Sequence, residues 1–192
     1  MALGRGRSPD LGAVLLGEAE RSAVEGPAGT TIPNVFVVAS SMVSQPTEKS
    51  EVERRLADQI SGEAIHRGHR FDGPIAVTLA PGGRRPEVGA VFEPGDLPAW
   101  SVLTATDDDI PMTVHHNRAL IGRSKDGDVV INKNGISRKH ALLWREAGRV
   151  WIADFQSANG TYVNGDPVFE VVEVRRSDLI MFGDAGFVFG MV

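Results

Sequence analysis

The stretches GISRKHALLW (residues 135–144) and SANGTYVNGD (residues 157–166) decide the fold of the second half of the chain. Polar residues cluster in both stretches, and Asn-Gly pairs occur at 134–135, 159–160 and 164–165. One explanation is that each pair forms a hairpin turn between two strands. The other explanation is that Ser, Arg and Asn side chains gather in loops where they bind an anion.

Short strand patterns surround these stretches from residue 100 to residue 192. Turn signals separate them at intervals of roughly ten residues, which is typical of a β-sandwich or barrel. The candidate strands are WSVLTAT, MTVHH, RALIG, DVVIN, HALLWRE, RVWIADF, TYVNG, VVEVR, LIMFG and FVFGMV. We therefore predict an all-β domain over residues 96–192.

Three loops of this predicted domain carry side chains suited to phosphate. The candidates are Arg123 in the first loop, Ser137, Arg138 and Lys139 in the second, and Ser157, Asn159 and Thr161 in the third. A guanidinium group binds phosphate oxygens in a two-pronged way, and hydroxyl groups add further donors. An Asn side chain both donates and accepts hydrogen bonds, which suits the backbone of an extended peptide.

The same residues do not suggest catalysis. The chain has no cysteine, which excludes thiol nucleophiles and Cys-based zinc sites. His140 follows Ser137 by three residues, and in a strand the two side chains would point to opposite faces. We therefore expect a binding protein that is not an enzyme, with no metal site and no cofactor.

The blocks HHNRALIGRSKDGDVVINKNGISRKHALLW, VWIADFQSANGTYVNG and DLIMFGDAGFVF closely resemble the forkhead-associated (FHA) domain. Its pattern of Gly-Arg, Ser-Arg-x-His and Asn-Gly-x-x-Val-Asn-Gly occurs in order over residues 100–192. The resemblance implies an eleven-stranded β-sandwich that binds phosphothreonine peptides through loops at one end.

The resemblance also implies a role for each matching residue. Arg123 and Ser137 match phosphate contacts, Arg138 matches a contact to the phosphate or the peptide, and Asn159 matches the residue that holds the peptide backbone. Gly122, His140 and Gly160 match structural positions that shape the loops. Lys139, Thr161 and Ser157 are supporting candidates.

One position departs from the family's pattern. Many members carry Thr or Ser where this chain has Ala158, so a hydroxyl group that could touch the phosphate is absent. A hydrogen bond to a charged group contributes about 1.5–3 kcal/mol. The affinity is therefore expected to fall about tenfold or more unless Lys139 or backbone amides compensate.

The first half of the chain mixes helix and strand patterns and predicts a small α+β domain over residues 1–95. Residues 11–24 and 47–70 have helical patterns, whereas 34–40, 74–80 and 87–93 have strand patterns. The segment PGGRRP (81–86) could contact phosphate, but we favour a hairpin turn between the last two strands. PGDLPAW (94–100) is the candidate linker, so the predicted fold class is a two-domain chain.

This half resembles the N-terminal domain of FhaA-type actinobacterial proteins in its IPNVFVVASS strand, charged helix, GHRFDGPIAVTLAPG strand and EVGAVFE strand. The resemblance implies signalling with membrane Ser/Thr kinases and the control of cell-wall growth and division. The implied partner is a phosphothreonine-containing protein, either a Ser/Thr kinase or its substrate.

The charge and the apolar runs of the sequence limit the kinds of partner that the protein can have. The net charge is -5, and the longest apolar runs are much shorter than a membrane span, so we expect neither nucleic-acid binding nor membrane insertion. We expect a cytoplasmic location, with recruitment to the membrane through a partner. Two other functions stay open: a phosphate-independent scaffold with a degenerate pocket, and RNA binding by the N-terminal domain.

Three further groups of residues invite a metal-binding interpretation. His115 and His116 lie in a strand pattern, His66 and His69 could share a helix face, and TATDDDIP (104–111) has three consecutive acidic residues. In each case we favour the plainer interpretation of a solvated strand, helix end or loop.

Overall fold

The computed structural model describes residues 10–41, 46–107 and 109–192. Within these ranges, the chain forms two α-helices and sixteen β-strands. Neither helix is long and apolar enough to cross a membrane.

Residues 10–97, here called the N-terminal unit, contain both helices. Its elements in chain order are α1 (Leu11–Arg21), β1 (Val24–Gly26), β2 (Gly29–Thr31), β3 (Val35–Ser40), α2 (Pro46–His66), β4 (Ala76–Pro81) and β5 (Glu87–Val91). The Asp10 carboxylate caps α1 by accepting the backbone N–H groups of Gly12 and Ala13 at 3.0 and 3.4 Å. The predicted α+β composition of this half is therefore present.

The strand β3 lies at the centre of a three-stranded sheet, parallel to β4 and antiparallel to β5. The crossover between β3 and β4 contains α2, as parallel strands require. Because β4 and β5 lie on opposite sides of β3, the prediction of a hairpin turn at PGGRRP is wrong. The segment instead passes the end of β3, where the Ser41 N–H donates to the Gly83 carbonyl at 2.9 Å.

Both helices end earlier than the sequence pattern predicts. After α1, the strands β1 and β2 form a small antiparallel hairpin, although no strand pattern was recognised in this part of the sequence. The helix α2 ends at His66 in a Schellman motif, in which Gly68 (φ +69°) donates to the Ile65 carbonyl and His69 donates to the Ala64 carbonyl. His69 therefore lies beyond the helix and does not share a helix face with His66.

Eleven strands follow within the described part of residues 100–192. They are β6 (Ser101–Ala105), β7 (Pro111–Val114), β8 (Arg118–Gly122), β9 (Val129–Val130), β10 (Ala141–Glu146), β11 (Arg149–Asp154), β12 (Thr161–Val163), β13 (Asp166–Pro167), β14 (Val172–Val174), β15 (Leu179–Phe182) and β16 (Ala185–Met191). Each predicted strand pattern overlaps one of them, although β7 begins one residue and β16 two residues before the predicted pattern. Only the two-residue β13 has no predicted counterpart.

These strands form two sheets that pack face to face, here called the sandwich. One sheet has the order β14-β11-β10-β8-β9, and the other has the order β13-β12-β15-β16-β6-β7. Alternate residues of both sheets point inward, including the fully buried Leu143, Ile152, Ile180 and Phe187. The structure thus agrees with the predicted all-β sandwich.

The N-terminal unit and the sandwich have separate hydrophobic cores, one drawn from residues 11–97 and the other from residues 100–189. The candidate linker is fixed to both: Leu97 packs against the first core and Trp100 belongs to the second. The division at residues 95 and 96 stays a prediction.

The two parts also touch each other directly. The buried Asn117 donates from Nδ2 to the His69 carbonyl and accepts the Phe71 N–H at 3.3 Å. Ala28, in the β1–β2 turn, packs on Leu142 and Trp144 at the outer face of the sandwich. The N-terminal unit therefore covers apolar surface that the five-stranded sheet would otherwise expose.

Candidate functional site

The first two predicted loops meet at the end of β8. The Arg123 N–H donates to the Ser137 carbonyl at 2.9 Å, and the Ser124 N–H donates to the Arg138 carbonyl at 3.1 Å. A Cβ atom on Gly122 would lie 2.2 Å from the Arg138 carbonyl oxygen. Glycine at position 122 is therefore what allows the Arg123 loop and the Ser137 loop to lie against each other.

The third loop joins them through side chains. The Ala158 N–H donates to the Ser137 hydroxyl at 2.9 Å, and the Asn159 Nδ2 donates to the Gly135 carbonyl at 2.8 Å. Three segments that are far apart in sequence therefore converge at one end of the sandwich. This convergence is the geometric condition that the anion-binding interpretation requires.

The three Asn-Gly pairs now separate into two kinds. Asn164 and Gly165, with φ values of +53° and +93°, form the two-residue turn between the paired strands β12 and β13. The pair at 159–160 connects β11 and β12, which belong to different sheets, and the pair at 134–135 connects β9 and β10, which do not pair. The hairpin explanation is right for one pair, and the other two pairs shape the candidate site.

His140 is fully buried beneath the loops and connects them. Its Nδ1 accepts the Ser137 N–H at 3.0 Å, so its Nε2 carries the proton that it donates to the Gly160 carbonyl at 3.1 Å. Its ring meets Phe182 edge to face, with centroids 5.6 Å apart. Burial lowers the pKa of His140, although the Gly160 carbonyl and the Asp154 charge act in the opposite direction.

The expected orientation of His140 was therefore wrong. Residues 136–140 lie outside any strand, and the strand β10 begins only at Ala141, so the alternation of a strand does not apply to Ser137 and His140. The ring lies beneath the Ser137 backbone and does not approach the Ser137 hydroxyl as a base.

Asp154 organises the third loop from its base. Its Oδ1 accepts the hydroxyl groups of Ser157 and Thr161 at 2.6 and 2.7 Å, and its Oδ2 accepts the Ser157 N–H at 2.9 Å. Burial would raise the pKa of Asp154, but these hydrogen bonds outweigh it, and the pKa is lowered. Thr161 is buried, so Ser157 and Thr161 support the loop rather than face a ligand.

Asp154 was not among the predicted residues. Its signal in the sequence is an Asp at the end of a strand with a Ser three residues later, a spacing at which the carboxylate can accept a backbone N–H in a turn. Because such turns are common, the signal identifies a loop without indicating a binding site.

The other predicted side chains face solvent. Arg123, Arg138, Lys139 and Asn159 are exposed, and Ser137 is half-buried. The Arg123 Nε donates to the Ile136 carbonyl at 3.2 Å, which orients its guanidinium along the second loop. The three cations of the loops, Arg123, Arg138 and Lys139, form no ion pair with a residue in the ranges that the structure describes. The loops thus present uncompensated positive charge and free N–H donors beside a hydroxyl group.

The histidines and acidic residues that were considered for metal binding lie among ordinary polar contacts. His115 contacts the Leu97 carbonyl and Thr113, and His116 lies near Asp72 and Asp128. Over residues 10–41, 46–107 and 109–192, no group of three His, Asp or Glu side chains is placed to hold a metal ion. Asp108, in the middle of the predicted acidic loop, lies outside the described residues.

Comparison with known proteins identifies a matching family, relatives and solved structures. The family model for the FHA domain matches residues 119–183. The glycogen accumulation regulator GarA of Mycolicibacterium smegmatis is 37% identical over 68 residues, which are 35% of this chain and 42% of GarA. The oxoglutarate dehydrogenase inhibitor of Corynebacterium diphtheriae is 35% identical over 63 residues, 33% of this chain and 39% of that protein. The chain thus spans less than half the length of these relatives.

Among solved structures, Mycobacterium tuberculosis EmbR in complex with a low-affinity phosphopeptide is similar, with 26% identity and a TM-score of 0.46 over 48% of this chain and 24% of EmbR. The assignment rests on the family match, which covers the Gly-Arg, Ser-Arg-x-His and Asn-Gly blocks together. Residues 119–183 of this chain are an FHA domain.

Proposed function

We propose that the chain is an adaptor that binds a phosphothreonine in a partner protein and catalyses no reaction itself. The observation that supports this most directly is a set of three cations on converging loops beside the Ser137 hydroxyl, which form no ion pair within the described residues: Arg123, Arg138 and Lys139. Side chains of this kind at the surface of a chain with a net charge of -5 make a local site for an anion.

Each proposed contact matches the chemistry of a phosphorylated peptide. A phosphothreonine carries a charge of about -1.5 to -2 at neutral pH, which Arg123 and Arg138 offset. The Ser137 hydroxyl accepts the Ala158 N–H, so its own hydrogen remains available to a phosphate oxygen. Asn159 donates to Gly135, and its Oδ1 has no partner within the described part of the chain, so it can accept a peptide N–H.

The partner is proposed as a class. We propose a phosphorylated Ser/Thr kinase or its substrate, because the N-terminal unit resembles proteins linked to kinases and cell-wall growth. The name of the similar regulator GarA supports a regulatory role of this kind. A role in the cell wall or in division rests on the resemblance of the N-terminal unit.

The test is a titration against a degenerate phosphothreonine peptide pool, with phosphoserine and unphosphorylated pools alongside. Arg123→Ala should weaken binding of the phosphothreonine pool about tenfold to a hundredfold, the loss expected when a hydrogen bond to a charged group is removed. Arg149→Ala is the matched control, because Arg149 lies across the hairpin from Glu146, at the end of β10 opposite the site. Equal binding of all pools by wild type and Arg123→Ala would instead favour a phosphate-independent scaffold.

A further inference from the structure

Arg70 belongs to the N-terminal unit, and its side chain extends from that unit to the sandwich. The Schellman motif at the end of α2 turns the chain outward, and β2 then holds Arg70 in place. The Arg70 N–H donates to the Thr30 carbonyl at 2.8 Å, and the Arg70 carbonyl accepts the Ile32 N–H at 2.8 Å. Its backbone position is thus fixed by the N-terminal unit alone.

The Arg70 side chain is fixed by the sandwich. Its terminal nitrogens donate to the two carboxylate oxygens of Asp128 at 2.7 and 2.9 Å, and one of them also donates to the Arg118 carbonyl at 2.6 Å. Its Nε donates to Asp72 within the N-terminal unit at 2.6 Å. Only 13% of each of the Arg70 and Asp128 side chains is exposed, so this two-pronged pair is largely shielded from solvent.

Asp128 closes the loop that carries Arg123. Its N–H donates to the Leu120 carbonyl at 2.8 Å, and its Oδ2 accepts the Leu120 N–H at 2.7 Å. These two bonds join the residues on either side of the segment 121–127. The carboxylate therefore holds the base of the Arg123 loop, and Arg70 holds the carboxylate.

The start of β8 is held from the same side. The Arg118 Nε donates to the Ala28 carbonyl at 2.6 Å, and its guanidinium lies over the Trp144 ring at 4.9 Å. His116 places its Nδ1 3.1 Å from the Asp128 carboxylate. The N-terminal unit thus contacts β8 and the end of the Arg123 loop, which are the elements that set where Arg123 lies.

We infer that Arg70 is a positioning residue for the phosphate-binding loop, so that the N-terminal unit is part of the phosphopeptide-binding apparatus. The role in binding rests on the proposed function, whereas the role in holding the loop does not. Without Arg70, the shielded Asp128 carboxylate loses its main counter-charge and draws in water, which loosens its bonds to Leu120. Arg123 then samples more positions, and ordering it on binding costs affinity.

The test compares Arg70→Met with Arg67→Met. Arg67 is an arginine three residues earlier whose ion pairs, among the described residues, are with Glu20 and Glu63, both in the N-terminal unit. Amide hydrogen exchange should become faster at Leu120, Arg123 and Asp128 in Arg70→Met and stay unchanged in the control. Affinity for the phosphothreonine pool, measured well below the unfolding temperature, should fall about threefold or more, as for other mutations that act through a network.

A second pair of variants distinguishes an effect on the position of Arg123 from a general loss of stability. The double variant Arg70→Met, Asp128→Asn removes both charges and so avoids leaving a shielded carboxylate unpaired, which keeps the test usable if Arg70→Met folds poorly. The loss of affinity should also disappear when Arg70→Met is made on the Arg123→Ala background. A loss of equal size on both backgrounds would overturn the inference.

Amide hydrogen exchange tests whether Arg70 holds the Arg123 loop in place, and this test does not require that any peptide binds. Unchanged protection of Leu120 and Arg123 in both the Arg70→Met and the double variant would refute the inference while leaving the proposed function intact. Failure of wild type to distinguish phosphorylated from unphosphorylated pools would refute the proposed function alone.

Discussion

Ser137 is the residue through which the other two loops of the site are joined. Its carbonyl accepts the Arg123 N–H, its N–H binds His140, and its hydroxyl accepts the Ala158 N–H. Three different groups of one residue thus bind the other two loops and the buried His140 of its own segment. The hydroxyl is fixed before a ligand arrives, which reduces the entropy lost on binding.

Position 158 gives a prediction of increased affinity. Ala158 is exposed, and its N–H is already bound to the Ser137 hydroxyl, so a hydroxyl at this position would lie beside the proposed phosphate site. We expect Ala158→Ser to bind the phosphothreonine pool about tenfold more tightly, from one added hydrogen bond to a charged group. Fluorescence anisotropy with labelled pools measures this. An equal gain for the unphosphorylated pool would show that the new hydroxyl contacts something other than phosphate.

His140 gives a prediction about tautomer and pH. The bond from Ser137 to Nδ1 exists only while that nitrogen is unprotonated, and burial lowers the pKa of the ring in the folded state. The unfolded ring, with a pKa near 6.5, takes up a proton first as the pH falls. Stability is therefore complete above about pH 6.5 and declines below it, until the lowered folded pKa is reached.

Two-dimensional 15N–1H spectra of the imidazole groups measure both properties of His140. We expect the Nε2–H tautomer and a titration midpoint below the ordinary value for histidine. The pKa of His116 is also lowered by burial, so the loss of stability at low pH includes both residues, and the NMR signal must be assigned to His140. A ring protonated on Nδ1 at neutral pH would contradict the geometry.

At the scale of residues, the sequence indicated the polar side chains of the three loops but did not indicate Asp154, which supports the third loop. Arg123, Ser137 and Asn159 follow a recognisable pattern of polar types. Asp154 does not, because its importance lies in accepting Thr161, seven residues away, through a hydrogen bond that no local pattern shows. The residue types that can contact a ligand are restricted by the chemistry of that ligand. A supporting side chain only has to satisfy nearby hydrogen-bonding groups, and several residue types can do so.

At the scale of elements, the strand β8 is where packing and binding meet. It pairs with β10 on one side and β9 on the other, and it ends at Gly122, where the Arg138 carbonyl leaves no room for a side chain. Movement of β8 would therefore displace both the Arg123 loop and the Ser137 loop.

Gly122→Ala should accordingly lower stability and weaken phosphopeptide binding together. Placing a methyl group into such close contact costs on the order of 1–3 kcal/mol of unfolding free energy. Gly89→Ala in the exposed strand β5 is the matched control, because a methyl group at position 89 would have no neighbouring atom within 4 Å. Urea unfolding and peptide titration measure the two effects. Normal binding by Gly122→Ala would show that the two loops do not depend on their close contact.

Elements were predictable from the sequence where a periodic pattern was long enough. The core strands β10, β11 and β16 alternate or repeat apolar residues over six or seven positions and were found. The β1–β2 hairpin has only three residues in each strand, and its Gly and Pro residues read as loop. Strand order was not predictable in the N-terminal unit, because β5 pairs with β3 rather than with its neighbour in sequence.

At the scale of the whole molecule, the two cores are joined by polar groups as well as apolar ones. Asn117, in the sandwich, satisfies the His69 carbonyl and the Phe71 N–H of the N-terminal unit while its own backbone carbonyl accepts the Arg145 N–H. An unsatisfied buried group costs about 1–3 kcal/mol, so these contacts link the stability of the two parts. Cooperation between them therefore depends on a few residues rather than on a shared core.

The molecule carries a natural probe for each part. Both described helices lie in the N-terminal unit, whereas all three tryptophans, Trp100, Trp144 and Trp151, lie in the sandwich. Circular dichroism at the helix band thus reports mainly the N-terminal unit during thermal unfolding. Tryptophan fluorescence reports mainly the sandwich, although Trp144 also contacts Ala28 of the N-terminal unit. We expect the two transitions of wild type to coincide, since coupled units unfold together.

Asn117→Ala should separate these transitions. It leaves the His69 carbonyl and the Phe71 N–H without their partner, so the N-terminal unit, with its three-stranded sheet and small core, should unfold at a lower temperature than the sandwich. Asn132→Ala, at an exposed position of the sandwich, should leave the transitions together. If wild type already shows two separate transitions, the contacts at Asn117 do not couple the parts, and Arg70 would have to hold its loop without help from a rigid interface.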